Sequence, residues 1–293
     1  MIEERSWGSH LFDVINHVFL AALAISCLLP LIHELAVSLS GAAAAKGHLV
    51  GLWPVQYNLE TYRKIIGDFR FRAAFMISAT RTVSGTLLNM FIVVLTAYPL
   101  ALVQHWRGRG VFKAFLLFGL LFSGGLIPTF LLVKNLGLIN RFPVLILPDA
   151  VSIWSVIIMT NFFRGLPEEL AEAAQLDGAS HWDTLFRVYL PISTPGLATL
   201  GLFTAVGHWN SWFDGLIYIN DASKYPLQTL LKVSLFSGFD NVAFTLDPES
   251  AAKLSKEALD AGKIIVATVP ILMAYPFLQR YFVKGLILGS VKG

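Results

Sequence analysis

Apolar runs long enough to cross a bilayer recur along the whole chain, and no other feature narrows its fold so far. Hydropathy and chain-breaking residues delimit about six, at 14–38, 76–104, 112–134, 143–163, 191–219 and 263–284. Each reaches the roughly 20 residues with which a helix crosses about 30 Å of hydrocarbon. A helix satisfies its backbone N–H and C=O groups internally, as lipid demands. The pattern therefore predicts an all-α polytopic membrane protein, one transmembrane domain over residues 1–293. Only 14% of the residues are charged against 55% hydrophobic, and the mean hydropathy is +0.65. Soluble domains carry about 25% charged residues, so soluble, disordered and fibrous classes are excluded. The run at 14–38 outlasts the 7–15-residue core of a signal peptide and reads as an uncleaved first span. The core spans then occupy 76–284.

The net charge of +3 is spread along the chain without a block of like charges, so nucleic acid is not an expected partner. Membrane lipid is. Cys27 stands alone inside the first span and reads as a buried small side chain; no His/Cys cluster has metal spacing, and no metal site is expected. An even number of spans places both termini on one side. Lys and Arg are almost equally dense on the two faces, and only the turn His105–Lys113, with three basic residues, leans towards cytoplasmic termini.

Three polar segments are long: 40–75, 164–190 and 220–262. Within the first, residues 55–72 mix Tyr57, Tyr62 and Phe69 with Arg63, Lys64, Arg70 and Arg72, a composition suited to the headgroup depth. The last reads as an extramembrane loop closing in a helix, with Asp247 as cap, Pro248 at its first position and Gly262 as its stop.

The segment 164–190 is the most informative. Pro167 suits a helix start, glutamates follow in the first turn, and Gly178 is placed to end the helix in a left-handed conformation. Ser180 and Asp183 then have the spacing of a capping box. Trp182, Leu185, Phe186 and Tyr189 follow at helical intervals, predicting one apolar face on a second short helix that Leu190-Pro191 closes. Two helices hinged on a glycine can dock into a groove of a soluble partner, with Ala173 and Ala174 permitting close approach. An interfacial hairpin joining two spans has the same pattern.

Glu172-Ala173-Ala174, Gly178 and Leu190-Pro191 together resemble the EAA loop of membrane permeases of ATP-binding-cassette (ABC) importers. Gly125-Leu126-Ile127-Pro128, Leu136-Gly137-Leu138, Trp209-Asn210-Ser211-Trp212, Tyr225-Pro226-Leu227-Gln228 and Phe282-Val283-Lys284-Gly285-Leu286 are similar to the carbohydrate branch of that family. One departure is Ile77-Ser78, where that branch often has Asn-Ser. The resemblance implies the type I importer fold in a bacterial inner membrane, cytoplasmic termini, a cytoplasmic coupling loop at 164–190 and an extracytoplasmic loop at 220–262. It implies a second homologous permease, two ATPase subunits and an extracytoplasmic sugar-binding protein as partners. ATP and Mg would sit on the ATPases: this chain has no Gly-x-x-x-x-Gly-Lys-Ser/Thr loop, so it is expected to be non-catalytic, without a cofactor of its own.

By the same resemblance, Glu172, Ala173, Ala174, Asp177, Gly178, Trp182 and Phe186 would contact the ATPase. Lys284 and Lys292, in a tail over 285–293 and just before it, would reach the ATPase pair. Polar and aromatic residues within spans tend to face a bundle interior or a water-filled path, which marks Asn89, Trp209, Asn210, Trp212, Asp214 and Tyr218 as substrate-pathway candidates. An interfacial aromatic belt accounts equally for the Trp and Tyr residues, and an interhelical hydrogen bond for Asn89. The implied cargo is an oligosaccharide. An acidic chain such as alginate suits the cations Arg63, Lys64, Arg70, Arg72 and Arg81, while headgroup anchoring and a neutral oligosaccharide are the alternatives. A secondary transporter using Asp214 as its coupling carboxylate, or a membrane sensor, is the reading from a different class.

Overall fold

The structure is a computed structural model that describes residues 7–103, 107–236 and 255–290. The regular elements among these residues are all helical, with no strand. In chain order the helices are α1 (Trp7–Ser38), α2 (Ala42–Lys46), α3 (Glu60–Gly67), α4 (Phe69–Leu102), α5 (Arg109–Leu121), α6 (Leu126–Asn135) and α7 (Ile153–Arg164). There follow α8 (Glu169–Leu176), α9 (His181–Ile192), α10 (Thr194–Asn210), α11 (Phe213–Tyr218), α12 (Leu227–Phe236) and α13 (Lys256–Ser290).

Helices α1 and α4, and α13 over Lys256–Pro276, are continuous and apolar enough to cross a membrane. Two of the other expected spans are broken, each a pair that reaches spanning length only jointly, bent by 114° between α5 and α6 and by 51° between Phe142–Asp149 and α7. Helices α9 and α10 meet at 80°, a bend at the border between the segment 164–190 and the fifth expected span. Local chemistry accounts for the breaks. Gly125 holds φ +86 before α6, a conformation open mainly to glycine. Pro143 and Pro148 stand in two short 3-10 turns, and Pro195 is the second residue of α10; each removes a backbone donor that a continuous helix needs.

The chain divides into two compact units. The first comprises residues 1–72 and 234–269. Ala36 is buried there with Ala44 and Val50, and Ser38 Oγ meets the Tyr62 hydroxyl at 2.7 Å. Gly262 lies inside α13 and does not stop it. A Cβ on Gly262 would stand 2.7 Å from Ile65 Cδ1 and 2.9 Å from Thr61 Cγ2, so this glycine serves close helix packing. Asp247 and Pro248, read as the start of that helix, fall outside the described residues. Cys27 is exposed on α1, whose apolar window is wholly uncovered, as befits a helix solvated by lipid.

The second unit, residues 73–233 and 270–293, holds the larger core. Val93, Ala97 and Tyr98 of α4 pack with Val156, Met159 and Phe163 of α7 and with Leu185 and Tyr189 of α9. The rings of Tyr98, Phe163 and Tyr189 meet edge to face in every pairing, with centroids 5.7–6.4 Å apart, the arrangement that aromatic quadrupoles favour. This trio roots the segment 164–190 on two other helices.

Candidate functional site

The candidate coupling site is built on that aromatic root. Helix α8 carries Glu169 and Glu172 in its first turn, where the helix dipole favours negative charge. Ala171 is buried, whereas Glu172, Ala173, Asp177 and Gly178 are exposed and Ala174 is half-buried. The helix ends at Gly178 with φ +80. The Gly178 N–H donates to Gln175 O at 3.0 Å and the Ala179 N–H to Ala174 O at 2.9 Å, which satisfies two carbonyls that a helix end leaves open.

Ser180 then starts α9 with a reciprocal cap. Its Oγ accepts from the Asp183 N–H at 3.2 Å, while its own N–H donates to Asp183 Oδ2 at 3.3 Å and its hydroxyl to the same oxygen at 2.6 Å. These bonds, the hydroxyl's foremost, hold the Asp183 carboxyl below the usual carboxylate range, with help from Arg187.

Residues Thr184–Tyr189 form a π-helical segment, and this corrects the expectation of one apolar face. The wider turn separates the four residues into two pairs. Leu185 and Tyr189 are buried in the core, whereas Trp182 and Phe186 stack on each other with centroids 6.0 Å apart and remain 61% and 51% exposed. Leu176, at the end of α8, is 89% exposed. The helix also continues through Pro191 to Ile192.

The substrate-pathway candidates do not meet at one point. Asn89 lines a cavity of about 370 Å³ with Arg81, Asp149, Ser152, Trp154 and His208. Its amide is engaged on both sides: Nδ2 donates to Ala150 O at 3.0 Å, and Thr204 Oγ1 donates to Oδ1 at 3.4 Å. Trp209 is buried edge-on against Phe75 and lines a separate apolar pocket. Asn210 is exposed. Trp212 lies beneath the Lys232 ammonium at 5.3 Å. Tyr218 is buried and stacked on Phe130.

Asp214 forms an ion pair with Arg81, which is only 1% exposed, and also accepts from Ser211 Oγ at 2.8 Å. Arg81 is thus a buried, neutralised cation and drops out of the set read as steering an anion. Its pairing spans 133 residues, and local sequence carries no sign of it. Gly85 was equally illegible: a Cβ there would stand 2.5 Å from His208 Nε2, so α4 admits the imidazole only because position 85 is bare. Lys284 lies on α13 with its side chain outside the description, and Lys292 lies outside the described residues.

Residues 72–220, about half the chain and both sites above, match the family described as binding-protein-dependent transport system inner membrane component. The chain belongs to that family. Relatives match over nearly its full length: 40% identity to protein LplC of Bacillus subtilis strain 168, covering 98% of this chain and 96% of that protein. Identity is 37% to the polygalacturonan/rhamnogalacturonan transport system permease protein YtcP of the same organism, covering 97% and 99%. Among solved structures, a chain of a bacterial ABC transporter involved in the import of the acidic polysaccharide alginate superposes with a TM-score of 0.86 at 29% identity, covering 94% of this chain and 98% of that one. The fold is that of type I ABC importer permeases, and the protein is a carbohydrate-type permease of the bacterial inner membrane.

Proposed function

We propose that this chain forms one half of the translocation pathway of an ATP-driven importer and couples it, through residues 164–190, to a separate ATPase. The exposed surface of α8 and α9 set on a buried aromatic root carries the proposal. Glu172, Ala173, Ala174, Asp177 and Gly178, with the stacked Trp182 and Phe186, offer the ATPase a small-residue ridge flanked by charge and two rings. Interlocked side chains transmit displacement because packed interiors scarcely compress. A motion imposed on α8 therefore reaches α4 and α7 through Tyr98, Phe163 and Tyr189. Coupling further requires that the ATPase bind the two states of this loop with different free energies. A second permease, a pair of ATPases and an extracytoplasmic binding protein complete the assembly, with the termini and the coupling loop on the cytoplasmic side. Lys284 and Lys292 extend the contact with the ATPase pair.

The cargo we propose is an acidic oligosaccharide. Two likenesses support it: the relative named for polygalacturonan, a galacturonate polymer, and the structural neighbour from an alginate importer. Exposed Arg70 and Arg72 would attract such an anion. A neutral cargo draws support from relatives named for diacetylchitobiose and arabinooligosaccharides, at 28% and 30% identity. Uptake of labelled galacturonate oligomers, alginate oligomers and arabinooligosaccharides, in cells lacking and regaining this chain, separates the readings. Restored uptake of either uronate oligomer supports the acidic cargo; restored uptake of the neutral sugar alone refutes it.

A further inference from the structure

The aromatic root holds two buried tyrosines whose hydroxyls differ. Tyr98 shares a hydrogen bond with Thr184. Tyr189 is 0% exposed, and its hydroxyl meets no donor or acceptor among the described residues. A phenylalanine would fill the same volume at less cost, since a buried hydroxyl without a partner forfeits the bonds it made to water. Tyr189 also ends the π-helical segment Thr184–Tyr189, a rare geometry found frequently at functional sites. Helix α8 packs on that segment, and Leu166 and Ala171, on either side of Glu168, belong to the same core as Tyr189. Glu168 itself is exposed and forms no ion pair among the described residues. Burial foremost, with Tyr98 and Glu168 adding to it, disfavours ionisation of the Tyr189 phenol. Its O–H therefore stays a donor, with a carboxylate in electrostatic reach.

We infer that Tyr189 and Glu168 form a latch, open in this conformation, which closes by a hydrogen bond from the phenol to the carboxylate when ATP draws the ATPase pair together. The inference rests on the coupling role proposed for residues 164–190. Glu168 immediately precedes α8, so a displacement that the ATPase imposes on that helix carries the carboxylate with it. A hydrogen bond to a charged acceptor is stronger than a neutral one, and the closed state gains a contact that the open state lacks. Coupling requires such a difference in free energy between the two states. Both are positioning residues for transport: the closed latch ties the start of α8 to the aromatic root, and through it to α4 and α7.

A double-variant cycle on the whole importer complex in proteoliposomes tests this. The quantity read is the concentration of a non-hydrolysable ATP analogue that half-converts the complex to its ATP-bound conformation, followed by a fluorophore pair on the two ATPase subunits. Tyr189→Phe, which keeps the packing of the ring, is expected to raise it about tenfold. Glu168→Ala should raise it by a similar factor, and the two together no further. Glu168→Gln, which keeps an accepting oxygen, should recover part of the loss. The thermal midpoint of the nucleotide-free complex should not fall in Tyr189→Phe, because no bond is lost there. An unchanged or lowered analogue concentration in Tyr189→Phe, multiplied effects in the double variant, or a lower nucleotide-free midpoint overturns the latch. If wild type responds to the analogue and the variants match it, the latch alone falls; a wild type that retains no ATPase removes the coupling reading as well.

Discussion

At Gly178 the backbone conformation and the space around it make separate statements. Its φ of +80 penalises any side chain, yet no atom lies within 4 Å of where a Cβ would stand. Gly178→Val should therefore strain the turn by about 1–2 kcal/mol without a collision. Normal membrane levels with ATP-dependent uptake reduced about 5- to 30-fold are expected, and Gly178→Asn, which tolerates this conformation, should recover part of it. Unchanged uptake in Gly178→Val would refute the coupling role. Arg81 and Asp214 present the opposite case, because each is costly only without the other. Asp214→Asn leaves a buried guanidinium without its counter-charge and should lower the stability of the complex by about 3–5 kcal/mol. The double variant Arg81→Met/Asp214→Leu should be less damaging than either single one, as read by thermal unfolding of the purified complex. Additive losses would deny the pairing.

Among the elements, α9 depends on local bonds at one end and on packing at the other. The Ser180–Asp183 cap is formed by neighbours in sequence, and the spacing predicts it. The ordinary value of the Asp183 carboxyl is 3.8, and the native helix holds it lower. A group with a depressed folded value contributes stability throughout the range above its unfolded value and loses it as pH falls through the folded one. The start of α9 should thus be insensitive to pH between 5 and 8 and open only in strong acid, followed by hydrogen exchange at the Asp183 amide. Opening near pH 6 would contradict the cap. At the other end, Phe163→Ala empties the centre of the aromatic root. It should cost about 3–5 kcal/mol and raise the ATP hydrolysed per molecule imported, measured in proteoliposomes. An unchanged ratio would mean that the root does not transmit the motion.

Over the whole molecule, what was legible in the sequence followed the range of the interactions that create it. Spanning character, the left-handed Gly178 and the Ser180 cap arise within a few residues and could be read directly. The π-segment escaped because a 3.6-residue period was assumed for 182–189, and tertiary packing of Leu185 and Tyr189 overrode it. The stop assigned to Gly262 failed because glycine serves close packing as readily as termination, and only the approach of Ile65 and Thr61 distinguishes the two. Arg81 looked like a surface cation because its partner lies in another helix, beyond the reach of pattern. The three bends were signalled by Gly125 and by the prolines flanking α7 and α10, but a hydropathy window averages over such breaks.

The central claim, that 164–190 is a docking surface for a separate ATPase, is tested most directly by mild extraction of the tagged chain from its own membrane and mass spectrometry of what stays bound. The expected result is an ATPase and a second permease in stoichiometric amount, with less ATPase retained by Gly178→Val while the permease is undiminished. Recovery of the chain alone in several mild detergents, or uptake that survives removal of the ATPase, would contradict the account.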